Sequence, residues 1–183
     1  MVKQSSKIAL GGIVAALSVV FMLLTIIPSM TFVLPAVSGV LLMVVVIEVN
    51  KRWAFMVYVA VGLIAMFTVP DRMAAVMYVL FFGYYPILKA LLESKLPRVA
   101  EWIVKFIVFN ASILAAYALL TFVFGIPFIE MDFLTERGVP VWGIIVIALA
   151  AGNLVFWIYD LALSRLVEAY LNRWRKNFKR IFK

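Results

Sequence analysis

The chain has 183 residues, 67% of them hydrophobic and only 14% charged, with a formal net charge of +8 and neither cysteine nor histidine. Disulfides, thiol chemistry, the common zinc sites and histidine acid/base catalysis are therefore excluded. A mean hydropathy of +1.13 exceeds what a water-soluble domain of this size can keep off its surface, so lipid is the expected solvent for most of the chain.

Apolar runs of 17 to 23 residues follow one another with almost no internal charge: Ile8–Ile27, Val33–Val49, Trp53–Val69, Met73–Leu92, Trp102–Phe124 and Val141–Leu163. At about 1.5 Å per residue, each helix covers most or all of a hydrocarbon core about 30 Å thick. The short alternating strands of a membrane barrel are not seen. Lys3 and Lys7 precede the first run as in a signal peptide, but the run is long for that and five more follow, so it reads as a spanning helix. The predicted fold is all-α: a polytopic bundle of six transmembrane helices over residues 1–167, then a basic amphipathic tail over 168–183.

Pro28 and Pro35 bracket the first turn, Asn50 to Arg52 make the second, and Pro70 to Arg72 make the third, short enough to force neighbouring helices antiparallel. Alternate assignment puts fifteen of the 17 Lys and Arg residues on one side and leaves Arg72 and Arg137 on the other. The basic side is expected in the cytoplasm, with both termini, and the protein in the cell membrane. Nucleic-acid binding is not expected, because the basic residues sit where the membrane rule already puts them.

In the first helix Gly11, Ala15 and Ser18 share one side, while Gly12 and Ala16 form an adjacent pair of small residues. Missing bulk lets another backbone approach, either a helix of the same bundle or a separate membrane subunit. Asp71 and Arg72 occupy the third turn. They mark it and anchor it in headgroups, while Arg72 also has the chemistry to pair with a ligand carboxylate or phosphate. The fourth helix carries Tyr78, Tyr84, Tyr85 and Pro86. Proline frees a carbonyl one turn earlier and tends to kink a helix, and Tyr78 and Tyr85 share a face, so these residues form either a ligand wall or packed core.

Two connections are longer than the rest. Glu93 to Glu101 alternates acid and base around Pro97; Gly125 to Pro140, with Pro127, Phe128 and Phe133, is either a solvated linker or a lid. The fifth and sixth helices start from opposite sides, which puts Asn110 and Asn153 at nearly the same depth, about 12 to 14 Å from the inner boundary. Two amides in hydrocarbon need partners: they satisfy each other, or they floor a polar cavity. Asn110 shares its face with Tyr117 and Thr121, and Asn153 with Trp157 and Asp160. Asp160 is expected to meet Arg165 or Lys105, and Glu48 is the only other acid at similar depth. In the tail, Leu171, Trp174, Phe178 and Ile181 fall on one helical face, a pattern that suits anionic lipids, although positive-inside topology alone also accounts for the charge. No Walker loop, metal cage or nucleophile with its base is present, so neither an enzyme nor a cofactor is expected.

The opening from Lys7 to Ser18, Lys-Ile-Ala-Leu-Gly-Gly-Ile-Val-Ala-Ala-Leu-Ser, followed by five more spans in so short a chain, resembles the substrate-binding (S) components of energy-coupling factor transporters. In those proteins an Ala-x-x-x-Ala pattern on the first helix meets a transmembrane coupling subunit, and a vitamin or metal ion binds near the outer side. The resemblance implies that Gly11, Gly12, Ala15 and Ala16 face that subunit, with glycine in place of the first alanine of each pair. It also implies cytoplasmic ATPase partners and a small organic ligand bounded by the turn at Pro28 to Val33, Asp71, Arg72, Tyr78, Tyr85 and the loop from Gly125 to Pro140. The absence of histidine speaks against cobalt or nickel as the ligand. The alternative is a structural membrane protein that scaffolds a complex through its small-residue faces and needs no cavity.

Overall fold

The computed structural model describes residues 4–126 and 140–175. All six apolar runs are helical, and the starts of the later ones are set by local chemistry. Helix α1 spans Gln4–Leu23, α2 Val33–Glu48 and α3 Lys51–Thr68. The Asn50 side chain accepts from the Trp53 N–H at 2.9 Å and so caps α3. The fourth span is divided into α4, Arg72–Met77, a wider π-type turn over Tyr78–Phe82, and α5, Tyr85–Lys95. Helix α6, Arg98–Ala118, starts after Pro97, and α7, Val141–Ala169, after Pro140, both positions where a missing N–H costs nothing.

Among the described residues the result is an all-α bundle of six helices, five of them long and apolar enough to cross a membrane. Helix α2, at 16 residues, is the shorter exception; at about 1.5 Å per residue it reaches roughly 24 Å. Helix α7 does not stop near Leu163 but runs on through Ala169 and a π-type turn to Trp174. Phe178 and Ile181 of the expected amphipathic face lie outside the described residues, as do residues 127–139 of the expected lid.

The fourth span is the centre of the bundle. More than half of its apolar window, 56%, is buried, against 17 to 33% for the other four long spans, which turn most of their surface to lipid. Its interruption follows from sequence. Pro86 has no N–H to offer the Phe82 carbonyl, and that carbonyl lies instead against Gly39 of α2, where only a residue without a side chain leaves room. Beside it the Gly83 N–H bonds the Tyr78 carbonyl at 2.8 Å, five residues back, and the Tyr58 hydroxyl donates to the Val79 carbonyl at 2.7 Å. Backbone groups loosened by the wider turn are thus re-satisfied inside the protein, as the hydrocarbon requires.

Helix α1 divides its small residues between two environments. Gly11 is buried against Val57 of α3, Ala15 packs on the core, and Ser18 and Ser38 each donate to the other's carbonyl across α1 and α2, at 3.4 and 3.2 Å. Gly12 and Ala16 face outward, and nothing lies within 4 Å of a Cβ built on Gly12. One pair is therefore occupied in the protein's own packing, and the other is left on the surface.

Candidate functional site

A cavity of about 450 Å³ lies between the fourth, fifth and sixth spans, in the half of the bundle away from the basic end. Met77, Phe81 and Phe82 of the interrupted span form its back wall. Phe109, Ile113 and Tyr117, at intervals of four on α6, form one side; Ile145, Ala148, Gly152, Phe156 and Tyr159 of α7 form the other; and Phe32 reaches in from the α1–α2 turn. Among the described residues its lining carries no charged side chain. A close-packed interior does not ordinarily leave a space of this size, which falls in the range of small-molecule sites.

Toward the basic end, aromatic rings close the cavity. Phe109 and Phe156 stack at 4.6 Å with planes 9° apart, and Phe81 meets both edge-on at 5.2 and 5.8 Å. Tyr85 packs on Phe81 at 4.9 Å and donates its hydroxyl to Asp160 at 2.6 Å. The aromatic layer thus separates an apolar space from a buried group of charges.

That group joins the same three spans. Asp160 of α7 meets Lys89 of α5 at 2.7 Å and Lys105 of α6 at 3.0 Å. Lys89 also pairs with Glu93 at 2.5 Å, and Lys105 with Glu101 at 2.5 Å and Glu93 at 3.1 Å. Lys105 and Asp160 are almost wholly buried, while Glu93 reaches the surface. Of the two partners expected for Asp160, Lys105 is the one in contact; Arg165 pairs with Glu168 instead, and Glu48 holds Arg175 at 3.1 Å. In the sequence, Lys89 and Lys105 pass for two more charges of a basic side. The available signal is an acid four residues away from each, at Glu93 and Glu101.

The residues expected at a ligand site are distributed differently. Asp71 caps α4, accepting from the Ala74 N–H at 3.0 Å, and Arg72 donates to the Met66 carbonyl at 2.5 Å, closing the turn onto the end of α3. Tyr78 is fully buried against Tyr58, and its hydroxyl has no hydrogen-bond partner among the described residues. Tyr85 belongs to the Asp160 cluster. Asn110 and Asn153 bond each other reciprocally at 2.9 and 3.1 Å, and each donates as well to the carbonyl four residues earlier, Phe106 and Leu149. The pair ties α6 to α7 beside the cavity without lining it; of the expected residues only Tyr117 is in the wall. Sequence patterning missed Phe81, Phe109, Phe156 and Tyr159, since an aromatic facing a cavity reads the same as one facing a core.

The reciprocal amides make a testable pair. Asn110→Leu alone should cost about 1–3 kcal/mol by leaving the Asn153 side-chain oxygen without its donor in an apolar setting, whereas Asn110→Leu with Asn153→Leu should recover most of that. Thermal unfolding in detergent measures both, and an additive loss in the double variant would contradict the pairing.

Together the fold and the cavity define a multi-pass helical membrane protein built around an interrupted central helix. Comparison with protein-family models, with curated proteins and with solved structures finds no match for this chain.

Proposed function

We propose that this protein is the substrate-capture subunit of a small-molecule uptake system, working with a transmembrane coupling subunit and cytoplasmic ATPases as S components do. The observation that supports it is the cavity, walled by the fourth span, whose helix is interrupted at its middle. Interrupted helices beside a cavity near mid-membrane are characteristic of transporter binding sites, because irregular backbone is tolerated there only where protein or a binding space covers it. The cavity occupies the half that the charge count assigns to the outside, where a ligand is captured before release inward. Gly12 and Ala16 supply a bare strip for close approach of the coupling subunit, and the basic charge of the tail has the sign that attracts anionic lipid.

The test is purification from the native host in mild detergent, mass spectrometry of compounds released on denaturation, and identification of co-purifying ATPases. Ala16→Leu is expected to lose the coupling subunit with folded yield unchanged, whereas Ala15→Leu should lower the yield, since Ala15 packs on the core. Recovery of neither a compound nor an ATPase would sink the uptake reading.

One observation favours the scaffold reading as an alternative: Asp71, Arg72, Tyr85, Asn110 and Asn153 all make bonds within the chain. A scaffold would retain unrelated membrane partners through the Gly12 and Ala16 strip and release no compound.

A further inference from the structure

We infer that the cavity takes a molecule dissolved in the bilayer, an acyl-chain or isoprenoid-like ligand, which enters sideways between the fifth and sixth spans and not from water. The inference rests on reading the cavity as the ligand site and names the class of ligand. Three observations carry it.

The lining is the first. It presents mostly aliphatic and aromatic carbon, with Tyr117 and Tyr159 as its hydroxyl-bearing residues, and other polar groups nearby are turned elsewhere: the Asn110 and Asn153 amides bond each other, Arg72 is held by the Met66 carbonyl, and the Tyr159 hydroxyl lies beside Gly39. A water-borne vitamin would lose its hydrogen bonds to water on entry and find few replacements, which disfavours each polar group it carries. An alkyl chain leaves lipid without that penalty.

The mouth is the second. Lining residues Leu114 of α6 and Val155 of α7 are 63% and 64% exposed, and Ile145 and Leu149 of α7 are also open. These side chains sit within spanning helices, so what they are exposed to is hydrocarbon. The cavity therefore opens through the side of the bundle.

The third is how α6 and α7 meet. At the level of the cavity they are joined by the amide pair and the Phe109–Phe156 stack, while Ile113 and Tyr117 of α6 and Ile145 and Ala148 of α7 line the same space. A gap between two membrane helices is filled by protein, by lipid or by a ligand. Here one side of it is the interrupted span, which a filled lipid groove would not require.

The experiment uses the full-length protein in liposomes of phosphatidylcholine and phosphatidylglycerol, with palmitic acid bearing a mid-chain diazirine as the probe and mass spectrometry to locate the photolabel. Label is expected on Leu114, Leu149 and Val155, displaceable by unlabelled palmitic acid, whereas Phe67 and Phe122, which are 83% and 79% exposed but do not line the cavity, should take up label that is not displaced. Gly152→Leu projects its side chain into the space, since a Cβ there meets only Phe109 at an ordinary 3.7 Å, and should cut displaceable labelling by roughly tenfold. Ala148→Phe fills the same space should that variant fold poorly. Labelling that tracks exposure everywhere and saturates nowhere overturns the inference. So does displacement of the cavity label by riboflavin, thiamine or biotin added to the water. Displaceable cavity label without a co-purifying ATPase would remove the uptake reading and leave this inference standing; an ATPase partner with unsaturable label would do the reverse.

Discussion

Asp160→Ala should cost about 3–5 kcal/mol, the range for removing one partner from a buried ion pair. That is a large share of the roughly 5–15 kcal/mol that holds a typical domain folded. Lys89 and Lys105 are both buried, and Asp160 is the one acid in contact with both that is itself buried. Its loss leaves two ammonium groups sharing Glu93 and Glu101, and strands the Tyr85 hydroxyl. Because the cluster links α5, α6 and α7, the aromatic layer above it should loosen as well. Asp160→Asn keeps the shape and an acceptor for Tyr85 but not the charge, so it should fall between wild type and alanine. Adding Lys89→Met to Asp160→Ala removes the buried ammonium whose one remaining acid, Glu93, reaches the surface, while Lys105 keeps both Glu101 and Glu93, and should restore roughly half of the loss. Thermal or denaturant unfolding in detergent reads all four proteins. A melting temperature for Asp160→Ala equal to that of wild type would mean that the charges are solvated and not a buried network.

Gly39→Ala is the second large effect, about 2–3 kcal/mol, at the upper end for overpacking. The added methyl would collide with the Phe82 carbonyl oxygen, and backbone, unlike a side-chain tip, has no rotamer to escape into. Either α2 moves off the fourth span or the π-type turn is remade, and Phe81 and Phe82 of that turn are cavity wall. The variant should therefore lose stability and ligand retention together. Gly12→Ala is the control. Its methyl meets nothing, and alanine favours helix over glycine by up to about 1 kcal/mol, so the melting temperature should hold or rise slightly. If Gly39→Ala melted like Gly12→Ala, the close approach of α2 to the fourth span would be disproved.

Legibility in the sequence varied with how local the cause was. The six helices could be read because apolar length and the obligatory pairing of peptide groups act along one segment at a time. The break in the fourth span was signalled by Pro86, and the mutual reach of Asn110 and Asn153 by their equal depth on antiparallel helices. Asp71 and Arg72 were less legible: as ligand groups or as turn closure they have the same residue types, and only the bonds to Ala74 and Met66 tell the geometries apart.

The sequence by itself determined a lipid-soluble chain of six helices, with charge gathered on one side and a weak point at Pro86. Rotation of each helix about its axis was left to tertiary packing. An apolar face looks the same whether it meets lipid, a neighbouring helix or empty space, so the sequence holds no separate mark for a cavity. Only packing decided that Gly11 turns inward while Gly12 turns out, that Lys89 and Lys105 converge on Asp160, and that α6 and α7 line one cavity beside the Phe109–Phe156 stack.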